Sequence, residues 1–111
     1  MKVLVTGSSG QLGREIRRHA ADSRHEYIFT DVQTSEKEDW IYPLDITDDE
    51  SVMDAVASDV DVIINCAAFT DVNRAESDPE AAFKVNALAP VNLAKAALKA
   101  DALLIHISTD Y

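Results

Sequence analysis

Three glycines, the only ones in the chain, stand in the run Thr6-Gly7-Ser8-Ser9-Gly10-Gln11-Leu12-Gly13. This G-x-x-G-x-x-G follows the β-branched stretch Lys2 to Thr6 and precedes a segment of helical spacing. A strand-to-helix turn of that composition suits a bound pyrophosphate. Gly7 permits a tight turn, Gly10 lets backbone approach the phosphates, and Gly13 lets the helix pack closely on the sheet. Gln11 and Leu12, in the first helical turn, join them as expected ligand contacts. Glycine spacing alone is weak evidence, since the same residues can serve only to reverse the chain.

Asp31 supplies a second element. It follows the second apolar run and lies roughly 20 residues past the glycines, where a carboxylate can bind the ribose hydroxyls of a dinucleotide. An aspartate there favours NAD, because it repels the extra phosphate of NADP. Lys37, in the polar stretch that follows, could screen that phosphate. The expected cofactor is therefore NAD(H) or NADP(H), with the choice open.

These residues need a parallel sheet to hold them. Lys2 to Thr6, Glu26 to Thr30, Ile41 to Leu44, Asp61 to Asn65 and Leu103 to Ile107 read as five strands, apolar on both faces. Helical spacing separates them. Gln11 to Ala21 places Leu12, Ile16 and Ala20 on one face. Thr47-Asp48-Asp49-Glu50 reads as a capping box with Thr47 as N-cap, opening a helix that turns Val52, Ala55 and Val56 inward. Asp78-Pro79 opens a long helix running to about Ala100. Pro90 inside it lacks the N–H that a regular helix directs at the carbonyl of residue 86. The fold class is α/β: a Rossmann-like, doubly wound parallel sheet of about five strands in the order 3-2-1-4-5, with one domain over residues 1–111.

Composition narrows the partners. Ten Lys and Arg against twenty Asp and Glu give a formal charge of -10. No basic patch offsets it, since Arg14, Arg17 and Arg18 read as one face of a helix, so neither nucleic acid nor an acidic membrane is expected. No window reaches the roughly 18 apolar residues of a membrane span, and the N-terminus lacks a signal peptide. A single cysteine, Cys66, fits a reducing compartment, so the expected location is cytoplasmic. Cys66 reads as a small buried hydrophobe rather than a nucleophile, and His106 as a satisfied core histidine. His19, His25 and His106 have no metal-ligand spacing, and Asp48, Asp49 and Glu50 are explained by helix capping, so no metal is expected. Trp40 reads as packing at the start of the third strand.

The spacing G-x-x-G-x-x-G resembles the short-chain dehydrogenase/reductase superfamily, and more of the chain resembles its extended, nucleotide-sugar branch. Asp45-Ile46 is similar to that branch's adenine-contacting pair. Asn65-Cys66-Ala67-Ala68 is similar to its cofactor-packing segment, and Asn86 and Asn92 to two asparagines of the next helix. Ala67-Ala68-Phe69-Thr70-Asp71-Val72, Arg74-Ala75-Glu76 and Ser108-Thr109-Asp110-Tyr111 resemble the dTDP-4-dehydrorhamnose reductase family more specifically, over the whole chain. That resemblance implies an oxidoreductase that reduces the 4-keto group of dTDP-4-dehydro-L-rhamnose with NAD(P)H, in dTDP-rhamnose biosynthesis. It implies a cofactor contact by Ala67, Ala68, Phe69, Thr70 and Ile107. Thr109 would hydrogen-bond the substrate carbonyl, and Thr109, Asp110 and Tyr111 would lie at the dTDP-sugar. Other nucleotide-sugar reductases or epimerases, and a regulatory subunit resembling that of methionine adenosyltransferase, share these features.

The family's Tyr-x-x-x-Lys pair has no counterpart here. Four residues beyond Tyr27 is Asp31, four beyond Tyr42 is Ile46, and Tyr111 is last. The expectation is a chain truncated before its sixth strand and inactive alone, whose fifth strand leaves an apolar edge open to strand pairing or a homodimer.

Overall fold

Neighbouring residues of the first strand serve opposite faces of a sheet. In the computed structural model, which describes residues 1–57, 59–67 and 78–107, β1 (Lys2–Thr6) turns Val3 and Val5 to one core and Leu4 to another. This period of two is the pleat of a strand buried on both sides. β2 (Glu26–Asp31), β3 (Ile41–Pro43), β4 (Val62–Asn65) and β5 (Leu103–His106) join it in a parallel sheet of order β3-β2-β1-β4-β5. The expected Rossmann-like order is therefore present.

Helices cover the two faces unequally. On one face, α2 (Asp49–Val56) and α4 (Ala89–Ala100) bring Val52, Val56, Leu93, Ala96 and Ala97 against Leu4, Ile46 and Ile63. On the other, Ile16 and Ala20 of α1 (Gln11–Ala20) pack on Val3, Val5, Phe29 and Val62. Trp40 lies just before β3, edge-on to Phe29 at 5.4 Å between ring centroids, with the Arg17 guanidinium 4.2 Å from its own ring centroid.

Four expectations need correction. Leu12 does not face the core: it is 42% exposed, because the first turn of α1 overhangs the end of the sheet. Thr47 does not cap α2. The N-cap is Asp48, while the Thr47 hydroxyl donates to Asp45 Oδ1 at 2.6 Å and the Ser51 hydroxyl to Asp48 Oδ2 at 2.7 Å. The acids still sit in the first turn of α2, where the helix dipole favours them.

The long helix is not continuous either. After α3 (Pro79–Phe83), residues Lys84–Leu88 form a π turn, and the Ala89 N–H bonds the Lys84 carbonyl five residues back. The wider turn comes just before Pro90, whose ring would otherwise meet the carbonyl four residues earlier. Finally, His106 is exposed, because β5 is an edge strand. Leu103, Ile105 and Ile107, also on this strand and its extension, are 60%, 41% and 40% exposed.

His106 nonetheless has a partner, and it reveals how the strand ends are joined. Asn65, fully buried at the end of β4, accepts the Thr6 hydroxyl at 2.6 Å and the Ala67 N–H at 3.1 Å through Oδ1. Its Nδ2 donates to His106 Nδ1 at 2.9 Å. One amide thus ties β1, β4 and β5. Asn65→Ala would leave a buried hydroxyl and an N–H unpaired, and should lower urea-unfolding stability by about 2–4 kcal/mol. A loss below about 1 kcal/mol would mean that other groups replace the amide.

Candidate functional site

The site is built where β1 turns into α1. Gly7 sits at φ 69°, a left-handed conformation that side chains disfavour. A Cβ on Gly7 would lie 2.4 Å from the Ala67 backbone nitrogen, and one on Gly13 would lie 2.5 Å from Ser8 Cα. Both glycines are therefore fixed by backbone packed on backbone. Gly10 differs. Among the described residues a Cβ there would meet only the Gly7 carbonyl oxygen, at 3.4 Å, and its φ of -76° suits any residue. The fold itself does not require glycine at position 10.

Ser8 secures the turn from within. It is fully buried, its hydroxyl donates to the Val5 carbonyl at 3.2 Å and accepts the Thr30 N–H at 3.0 Å, and its own N–H bonds the Thr30 carbonyl at 3.0 Å. β1 and β2 are thereby held together at the level of the loop. Asp31 completes the arrangement at the end of β2: Oδ2 accepts the Ser9 N–H at 2.9 Å and Oδ1 the Val32 N–H at 2.7 Å.

Above this turn lies a cleft of about 610 Å³, within the range of small-ligand sites. Gly7, Gly10, Gln11, Leu12 and Gly13 line one side, and Asp31, Val32 and Gln33 the end of β2. Asp45 and Ile46 line it after β3, and Cys66 and Ala67 after β4. The nine expected residues in this group, from Gly7 to Ala67, are gathered into one space. Ile107 is described but is not part of the lining; its N–H continues the ladder to the Asn65 carbonyl at 3.1 Å. Ala68, Phe69, Thr70, Thr109, Asp110 and Tyr111 lie outside the described residues.

Among the described residues the lining contains carboxylates but no lysine or arginine. The positive end of the cleft is the N-terminus of α1, which has no side-chain cap and no acidic residue in its first turn. Backbone N–H groups there can receive an anion. Asp45 is held by its own turn, accepting the Thr47 N–H at 3.0 Å, and Asn92 of α4 donates to the Ile46 carbonyl at 3.0 Å. Burial pushes the Cys66 thiol above its ordinary value, which suppresses the thiolate needed of a nucleophile.

Three features escaped sequence reasoning. Ser8 counts only as a spacer in the glycine pattern, although its small hydroxyl between two strand ends was the available signal. Val85 lines the cleft from the π turn, and the signal for that irregularity was Pro90. Thr47, read as a helix cap, instead braces Asp45.

The model of the RmlD substrate binding domain family matches residues 1–111. The chain belongs to this family. Its relatives include the dTDP-4-dehydrorhamnose reductase of Mycolicibacterium smegmatis, 46% identical over 99% of this chain and 31% of the relative. The solved dTDP-4-dehydrorhamnose reductase of Clostridium acetobutylicum superposes with a TM-score of 0.83 at 41% identity, over 100% of this chain and 37% of that one. That of Bacillus anthracis, solved in complex with NADP, gives 0.73 at 34% identity, over 99% of this chain and 36% of that one. The RmlD-family chain thus spans about a third of the length of the curated relatives it matches.

In this RmlD-family turn the three glycines should separate by stability. Gly7→Ala and Gly13→Ala should each lose about 2–4 kcal/mol in urea unfolding, from backbone clash and, at Gly7, conformational strain. Gly10→Ser should stay within about 0.5 kcal/mol, because serine is a good N-cap. Equal losses at all three positions would remove the distinction.

Proposed function

We propose that the chain is the dinucleotide-binding part of an NAD(P)H-dependent reductase that converts dTDP-4-dehydro-L-rhamnose to dTDP-L-rhamnose. The observation that carries this reading is Gly10. It lines the cleft at the open N-terminus of α1, and no contact among the described residues explains its missing side chain. A pyrophosphate lying against that backbone does explain it. Membership of the RmlD family and the names of the relatives support the substrate.

Each residue then has a task. The N–H groups at the start of α1 hold the pyrophosphate. Asp31, fixed by two N–H donors, retains lone pairs for ribose hydroxyls. Asp45 and Ile46 border the adenine, and Asn92 keeps that segment in place through the Ile46 carbonyl. Ala67 and Ala68, in the Asn-Cys-Ala-Ala run, and Phe69 and Thr70, which directly follow it, are assigned to the cofactor, and Ile107 to its nicotinamide half. When bound, the nicotinamide supplies a hydride. Thr109 is assigned the hydrogen bond to the substrate carbonyl oxygen, with Asp110 and Tyr111 beside the sugar nucleotide.

Among the described residues no helix is long and apolar enough to cross a membrane. The exposed Leu103, Ile105 and Ile107 stripe leads us to assign this face to a homodimer. Sedimentation velocity should show mass rising with concentration, and Ile105→Lys should return the chain to a monomer. A wild-type mass independent of concentration would count against the dimer.

Titration tests the cofactor reading. NADH or NADPH should bind saturably below about 1 mM, and Gly10→Ser should weaken binding at least roughly tenfold while remaining folded. Bound cofactor should also slow disulfide-reagent labelling of Cys66, which lines the cleft. In the free chain the labelling rate should keep climbing above the usual thiol range, because burial raises the pH at which this thiol ionises. A folded chain that binds neither cofactor would overturn the assignment.

A further inference from the structure

Two charged side chains beside the cleft have no task in the reading above. Arg14 follows the third glycine. Its Nε donates to the Ser9 carbonyl at 2.8 Å and its Nη2 to Glu38 Oε1 at 2.9 Å. Ser9 in turn donates its N–H to Asp31 Oδ2. A single residue of the glycine loop therefore joins the guanidinium to the carboxylate assigned to the ribose. The Arg14 side chain is about half exposed, at 51%. Its remaining N–H groups have no protein partner among the described residues.

Glu38 is held less completely. It lies on the 3-10 turn Glu36–Glu38, its side chain 27% exposed. Oε2 is buried with no hydrogen-bond partner among the described residues. One arginine contact thus supports a carboxylate whose other oxygen is unsatisfied, a poorly compensated arrangement. Lys37, on the same turn, is exposed, and its ammonium group makes no ion pair among the described residues.

Resting on the dinucleotide reading, we propose that Arg14 and Glu38 set the discrimination between NADH and NADPH. Arg14 is the ligand for the 2′-phosphate, and Glu38 opposes it. Asp31 is fixed by the Ser9 and Val32 N–H groups, so its charge stays where a 2′-phosphate would enter. Accommodating that phosphate takes a cation on the loop that Asp31 touches. Arg14 is such a cation, and its planar fork suits phosphate oxygens better than a single ammonium does. Glu38 competes for the same donors and adds a second negative charge near the incoming dianion. Lys37 lacks any link to Ser9 or Asp31.

The test is the ratio of the NADPH to the NADH dissociation constant, read by fluorescence titration of the full chain. A purely structural role for the Arg14 contacts would weaken both cofactors together and leave this ratio unchanged. Arg14→Met should raise the ratio at least roughly tenfold, and Arg14→Lys should give an intermediate value. Glu38→Gln should lower it by about fivefold. If Glu38→Gln fails to fold, the Arg14 pair decides. A ratio within about twofold of wild type in every Arg14 and Glu38 variant that folds, or one that moves only in Lys37→Ala, overturns the proposal while the dinucleotide reading stands. Failure of the wild type to bind either cofactor overturns both.

Discussion

Backbone lies directly on backbone where β1 becomes α1, and the geometry of the cleft depends on that contact. Gly7 has no room for a side chain against Ala67, nor Gly13 against Ser8. The consequence is positional. β4 must end close to the turn, which brings Cys66 and Ala67 to the cleft, and α1 must start close over the sheet, which aims its first N–H groups there. Asn65 and Ser8 then lock the neighbouring strand ends with hydrogen bonds from buried polar groups. Such groups are costly when unpaired, so each fixes the register as well as the contact.

The same turn answers an electrostatic difficulty. The protein carries a formal charge of -10, and among the described residues the cleft is lined by Asp31 and Asp45 without a basic side chain. A pyrophosphate at the glycine turn depends on local dipoles that outweigh that field. An acid in the first turn of α1 would stabilise the helix, yet none is present; basic residues occupy its last turn. The helix is therefore stabilised at its C-terminal end, and its N-terminal N–H groups keep their partial positive charge for a ligand.

The sheet and the glycine turn were legible because each rests on short-range pattern. Strand alternation and helical spacing give the α/β elements, and the glycine interval with Asp31 gives six residues of the cleft. Asp45, Ile46 and Ala67 come from the family resemblance, and the strand order from the fold class. Reading failed where tertiary surroundings decide. Leu12 has the helical spacing of a core residue, but overhanging the sheet end is a property of the whole layer. His106 sits between isoleucines as a core residue would, yet edge position exposes it. Thr47 carries a good capping residue's chemistry and spends it on Asp45, since local side-chain bonds compete with helix caps. The assignments at Ala68 to Thr70 and Thr109 to Tyr111 rest on sequence pattern alone.

The wall opposite the glycines shows how a local irregularity serves the site. A regular helix through Pro90 would have lost one hydrogen bond and strained against the ring. The π turn Lys84–Leu88 lets the chain take up the extra residue before α4 begins, and it places Val85 at the cleft. From α4, Asn92 then reaches the Ile46 carbonyl, so the helix that closes one core also fixes the segment beyond β3. Moving that helix by one residue would turn Asn92 away and disturb Leu93, which is fully buried. Core packing and cleft geometry are thus set by the same register, and Pro90 stands in the first turn of α4, where its missing N–H costs the helix least.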